Sequence, residues 1–236
     1  MTHTRDLDQL LERKLRLEER ATAAAGSGMR LTALRSWQAG RLERTYATLR
    51  RQERYVPALD FFLADLYGPG DFSRRDADLR RALAPLKRAL PARLLDLLCM
   101  AIELQVLTLD LDEQMAAALD GHDIDANTYA AAYRSVGRPQ DRRRQIDLIV
   151  RIGQDLDELV RQPWMRLALR AAHMPAHLAG FGALQEFLER GFQAFRRMGN
   201  ARDLLATIMR RETQIMSSLL RGDASPLLQV VPDADA

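Results

Sequence analysis

The chain is poor in the residues that most often carry chemistry or build sheets. Its 236 residues include one cysteine, four histidines, two lysines, seven valines and seven isoleucines. Cys99 cannot form an internal disulfide, and within Leu97-Leu98-Cys99-Met100 it reads as a small core residue. A reducing, cytoplasmic setting is the expectation, because Met1 to Asp6 leads into a charged amphipathic segment with no apolar stretch of signal-peptide type. No run of 18 apolar residues occurs, so no helical membrane span is expected. The scarcity of β-branched residues argues against a sheet.

Motifs are missing as well. There is no G-x-x-x-x-G-K-[ST] run, no G-x-G-x-x-G, no G-x-S-x-G elbow, no C-x-x-C pair and no H-E-x-x-H. Nucleotide-binding, hydrolase and zinc readings lose their usual signatures. Glu-x-x-His, which places a carboxylate and an imidazole on one helix face in di-metal bundles, is also absent. No catalytic residue, metal ligand or cofactor is assigned.

What is present is leucine and arginine, 39 and 33 residues. The basic excess is only +3, from 35 cations against 32 acids, so a pI near 9.3 reflects structural arginine more than a phosphate-binding face. Nucleic-acid binding ranks third among the readings and is not expected. Apolar periodicity divides the chain into about eight or nine helices in a single all-α domain, with a buried central helix from Ala92 to Asp120. Residues 1–28 form an N-terminal helical arm and Gly/Ser linker that packs on the body or on a partner. Residues 29–221 form the helical domain, and 222–236 a disordered tail. Pro85 should kink or shorten one helix and Pro175 should interrupt another. The seven phenylalanines fall in two stretches, Phe61 to Phe72 and Phe181 to Phe195, which should pack together.

Four residues mark a candidate cavity: Glu103, His173, His177 and Gly180. Glu103 lies among apolar neighbours and needs either a raised pKa or an arginine partner, the latter being the simpler fate. His173 and His177 have helical i,i+4 spacing, and two imidazoles so placed can share a cation. Pro175 between them favours a plain helix junction. Gly180 lies in a run of small residues that would admit a helix backbone or a flat ligand. The run Arg142-Arg143-Arg144 reads as a solvated face at a helix N-terminus.

The stretch Phe61-Phe62-Leu63-Ala64-Asp65-Leu66-Tyr67-Gly68, followed by Asp71-Phe72-Ser73-Arg74-Arg75-Asp76, resembles a group of uncharacterised bacterial proteins named for an FFLEELY motif. Arg44-Thr45-Tyr46, Arg54-Tyr55 and the Leu184–Gly199 stretch support the resemblance, which spans about 41–220. Ala64 and Asp65 stand where the name has two glutamates. The resemblance implies one domain and no reaction. The motif reads as a corner, Phe61, Phe62, Asp65, Tyr67, Asp71, Phe72, Arg74 and Arg75, pinned by Asp to Arg contacts.

The function expected from these features is non-catalytic: an interaction or regulatory protein with an unknown protein partner or self-association. The alternative is a cavity-containing protein or enzyme that binds haem, a metal or a lipid-like ligand.

Overall fold

The computed structural model describes residues 2–23, 27–62 and 73–228, all of them helical or in connecting turns. Among these residues there is no strand, as the leucine-rich, valine-poor composition requires. Nine helices have seven or more residues and two are shorter, eleven against the eight or nine expected. In chain order they are α1 (Thr2–Ala23), α2 (Ser27–Thr45), α3 (Val56–Phe61), α4 (Ser73–Ala89), α5 (Ala92–Leu119), α6 (Ala126–Val136), α7 (Pro139–Leu159), α8 (Pro163–Leu178), α9 (Gly182–Met198), α10 (Arg202–Leu220) and α11 (Ser225–Leu228). The two short ones, α3 and α11, account for the difference.

Local chemistry sets most boundaries. The Asp125 carboxylate accepts hydrogen bonds from the Asn127 and Thr128 amides at 2.7 and 2.8 Å, and the Thr128 hydroxyl accepts from the Asp125 amide, closing a capping box at the start of α6. The Thr128 backbone bond comes first among the causes that hold Asp125 below the usual carboxylate range. Gly137, at φ 63°, ends α6, and Pro139 opens α7 where its missing N–H costs nothing.

Two boundaries differ from expectation, and a third, at the end of α4, stays where the sequence places it. The second helix stops at Thr45, short of Arg54, because Arg211 Nη1 donates to the Thr45 carbonyl at 2.5 Å and claims the acceptor that the next helical turn would use. Pro85 does not end α4, which runs on to Ala89. Pro175 does not interrupt α8. The break comes at Gly180, which has φ 76° and whose carbonyl accepts from Arg81 Nη2 at 2.6 Å.

Helix α5 packs against α1, α2, α6 and α7, while α10 lies on α6 and α7. Its second half, from Ile102 to Leu119, carries its buried positions, whereas Leu94 to Met100 are half-buried. The apolar face of α1 is taken up within the chain: Leu7, Leu11 and Leu17 are buried with Leu79, Leu83, Ile102 and Val106. Lys14, also buried, bridges Glu18 and Asp76 at 2.8 Å each and ties α1 to α4. Near the other end, Leu227 of α11 docks into the cluster formed by α2, α5, α6 and α10. Helix α9 joins α3, α4, α7 and α8 into the remaining layer. There the two phenylalanine stretches meet as expected, Phe61 on Phe187 at 5.2 Å and Phe62 on Phe195 at 5.9 Å between ring centroids.

Candidate functional site

Of the four cavity candidates, Glu103 is on α5, and His173, His177 and Gly180 lie together where α8 turns into α9. Glu103 on α5 receives Arg144 Nε and Nη2 of α7 at 2.7 and 2.8 Å, a bidentate pair that matches the expected arginine partner. His173 and His177 are neighbours, with ring centroids 4.7 Å apart, but His173 Nδ1 bonds Glu189 Oε1 at 2.9 Å and links α8 to α9. Burial opposes ionisation of Glu189, yet bonds from Gln185 and His173 outweigh it and hold that carboxyl below its usual range. Gly180 serves the turn between α8 and α9. Among the described residues, no group of three or more His, Cys, Asp or Glu side chains could hold a metal ion.

Of the motif corner, Asp65, Tyr67, Asp71 and Phe72 lie outside the described residues. Phe61 and Phe62 belong to the aromatic layer. Arg74 is exposed. Arg75 donates to Asp76 at 3.1 Å and lies over the Phe187 ring at 4.7 Å.

A pocket of about 130 Å³ lies elsewhere, among α2, α3, α5, α6, α7 and α10. Its floor is apolar, with Leu111, Met115, Ile146 and Ile208 among the lining residues, and its polar groups come in three sets. In the first, Arg41 Nη1 donates to Glu212 Oε1 at 2.6 Å, and the Tyr46 hydroxyl donates to the same oxygen at 2.8 Å. Burial works against the Arg41 charge, but the Glu212 carboxylate outweighs it and raises the guanidinium above its ordinary range. Burial, then Glu212, push the Tyr46 phenol well upward. In the second set, Asp112 accepts from Arg35 Nε at 3.4 Å and Gln38 Nε2 at 3.2 Å. Burial raises the Asp112 carboxyl against those partners.

Arg142 forms the third. It is 5 % exposed. Its Nε donates to the Gly137 carbonyl at 2.9 Å, and its guanidinium carbon sits 3.4 Å from the centroid of the Tyr133 ring. Its Nη2 has no hydrogen-bond partner, and neither does Arg41 Nε. No carboxylate among the described residues lies within ion-pair distance of Arg142. The solvated-face reading of Arg142-Arg143-Arg144 therefore fails at its first residue. Arg143 and Arg144 do face outward, toward Thr213 and Glu103, while the helical turn rotates Arg142 inward. Burial, ahead of the Arg142 charge that opposes it, pushes the Tyr133 phenol up to about 12, so the ring over which the cation lies is a neutral phenol at physiological pH.

Arg41, Asp112 and Glu212 were not marked by the sequence. Tyr46 stood in the supporting Arg44-Thr45-Tyr46 piece, and the i,i+4 spacing of Tyr129 and Tyr133 was the remaining signal, since it puts both rings on one helix face.

No helix of the described residues is long and apolar enough to cross a membrane. No curated protein and no solved structure matches the chain. One family model covers residues 17–226, from within α1 to α11, and so includes every residue of the pocket. The chain belongs to the family defined by DUF8198, a domain of unknown function.

Proposed function

We propose that this protein is a non-catalytic regulatory domain that binds a small anionic molecule, of the size of a monocyclic carboxylate, in the pocket around Arg142. The observation that carries the reading is the buried Arg142 guanidinium, with a free Nη2 and no ion-paired carboxylate, Asp112 acting on it only from beyond ion-pair distance. A buried charge is normally paired, and leaving it alone costs several kcal/mol per ion after relaxation. The other charged lining groups are matched, Arg41 with Glu212 and Asp112 with Arg35. An incoming carboxylate would complete Arg142 and reach the second open donor, Arg41 Nε. A closed cavity of roughly 150 Å³ accepts benzene, so a pocket of about 130 Å³ that opens to solvent sets a single ring as the upper limit of ligand size. Tyr133, Leu111 and Met115 supply flat and apolar walls for a ring.

In this reading the chain is a cytoplasmic bacterial protein of the FFLEELY type, and occupancy of the pocket is passed to a protein partner or to a second copy. The hydroxyl and carboxylate that do meet in the pocket, Tyr46 and Glu212, are held by Arg41, and burial pushes the phenol well up, which supports binding over catalysis. Haem does not suit a pocket of this volume, and neither histidine candidate lines it.

The test is thermal melting and calorimetry with benzoate and related monocyclic acids, beside the uncharged amides. At a ligand concentration one hundred times Kd, the native state gains about 2.7 kcal/mol, a Tm rise of roughly 5–10 °C. Arg142→Met should abolish the rise, and its own melting should fall only by the loss of the Gly137 carbonyl bond and of the attraction to Asp112. Equal responses to acids and amides, or a full response in Arg142→Met, would refute the reading.

A further inference from the structure

Helix α8 presents an apolar face that the other described residues leave exposed. It packs on α9 through buried Met165 and half-buried Leu169 and Ala176. On the side turned away, Trp164, Leu167, Ala171, Met174 and Leu178 form one stripe at alternating spacings of three and four residues. Trp164 is 46 %, Leu167 62 %, Met174 62 % and Leu178 83 % exposed. Large side chains this exposed along 16 residues, on a helix about 24 Å long, make a contiguous patch of the kind that marks a docking surface.

Charge identifies the occupant. The sequence of α8, PWMRLALRAAHMPAHL, contains no acidic residue. Its polar side holds Arg166, Arg170, His173 and His177, and both arginines are exposed. In an antiparallel pair of α8 helices centred on Ala171, the small residue suited to close approach, Arg170 of each copy would meet across the two-fold axis. Neither helix has a carboxylate to receive them, and like charges brought together at an interface cost several kcal/mol. A surface carrying negative charge beside a hydrocarbon layer has no such conflict. The apolar stripe enters the acyl boundary, Arg166 and Arg170 reach the headgroups, and Trp164 sits at the interface where its amphipathic ring is favoured.

We infer that α8 is a peripheral membrane-docking helix, which lays Trp164, Leu167, Met174 and Leu178 on the surface of an anionic bilayer while α9 holds it to the body. This docking is independent of the pocket around Arg142, which lies on other helices. Two weak signals, apolar area and basic charge, act together, so attachment is reversible and depends on lipid composition and salt.

The experiment uses the full chain with vesicles of phosphatidylcholine alone and of phosphatidylcholine with phosphatidylglycerol, followed by flotation and by tryptophan emission. Trp37 stacks on Tyr129 inside the body, so a blue shift that disappears in Trp164→Phe reports α8. Binding to the anionic vesicles, weakened by salt and reduced roughly tenfold or more in Leu167→Glu/Leu178→Glu, is the expected result. These leucines are exposed, and circular dichroism confirms that the variant is folded. Absence of flotation with anionic vesicles at low salt overturns the inference. So does a wild-type dimer in solution that the double substitution dissociates without any vesicle binding, which would assign the face to a second copy. Equal binding to neutral and anionic vesicles removes the role given to Arg166 and Arg170 and overturns it as well.

Discussion

A charge taken out of water survives only beside a group that offsets the lost hydration, and Glu212 does this for Arg41. Their side chains are 13 % and 15 % exposed, and the Tyr46 hydroxyl completes the carboxylate. Removing one partner leaves the other buried and alone, a loss of about 3–5 kcal/mol for a buried pair. Glu212→Ala should therefore cost most of that range in urea unfolding. The exposed pair of Arg93 with Glu158 is the control, and Glu158→Ala should cost under about 1 kcal/mol. The same contrast explains what could be read in advance at this scale. Glu103 announced its need for an arginine because its sequence neighbours are apolar. Arg142 gave no such signal, since its neighbours Asp141, Arg143 and Arg144 are all charged, and only its angular position on α7 turns it inward.

Among the elements, the glycines separate close packing from mere tolerance. A Cβ at Gly191 of α9 would stand 2.8 Å from Phe61 Cζ and 3.3 Å from two further ring atoms, in the layer where α3 meets α9. The ring is rigid and already rests on Phe187 and Phe62, so it has nowhere to retreat. Gly191→Ala should destabilise by roughly 1–3 kcal/mol, the usual cost of overpacking. Gly40, inside α2, would bring its Cβ only to 3.4 Å from the mobile tip of Arg44. Gly40→Ala should stabilise by about 0.4–1 kcal/mol through the lost freedom of the unfolded chain. Thermal melting of the two variants checks both signs. Helix existence was legible from leucine spacing, and helix ends were legible wherever a cap or proline acts locally, as at Asp125 and Pro139. The ends that misled are those set from a distance, by Arg211 at Thr45 and by Arg81 at Gly180. At Thr45 nothing within a few residues carries that information, whereas at Gly180 the glycine is itself a local stop signal, outranked by the break expected at Pro175.

For the whole molecule, the first helix is part of the body's stability. Leu7, Leu11 and Leu17 each contribute about 1.5–3 kcal/mol of burial, a sum comparable to the 5–15 kcal/mol that holds an ordinary domain together. A chain starting at residue 27 should lose cooperative unfolding or aggregate through the uncovered Leu79, Ile102 and Val106, as circular dichroism melting and light scattering would show. A truncated chain that melts as sharply as the full one would assign α1 to a separable arm. The all-α class follows from composition alone, because leucine and arginine favour helix at nearly every position. The pocket does not follow, because its residues come from six helices and no two of its charged groups form a spaced motif.

The Arg41–Glu212 pair joins residues 171 apart. During synthesis at roughly 5–20 residues per second, α2 leaves the ribosome about 9–34 s before α10 can meet it. Throughout that interval Arg41 and Tyr46 lack the Glu212 carboxylate, so the pocket closes only when α10 arrives. A chain that stops short of α10 has most of its helices and an Arg41 left unpaired.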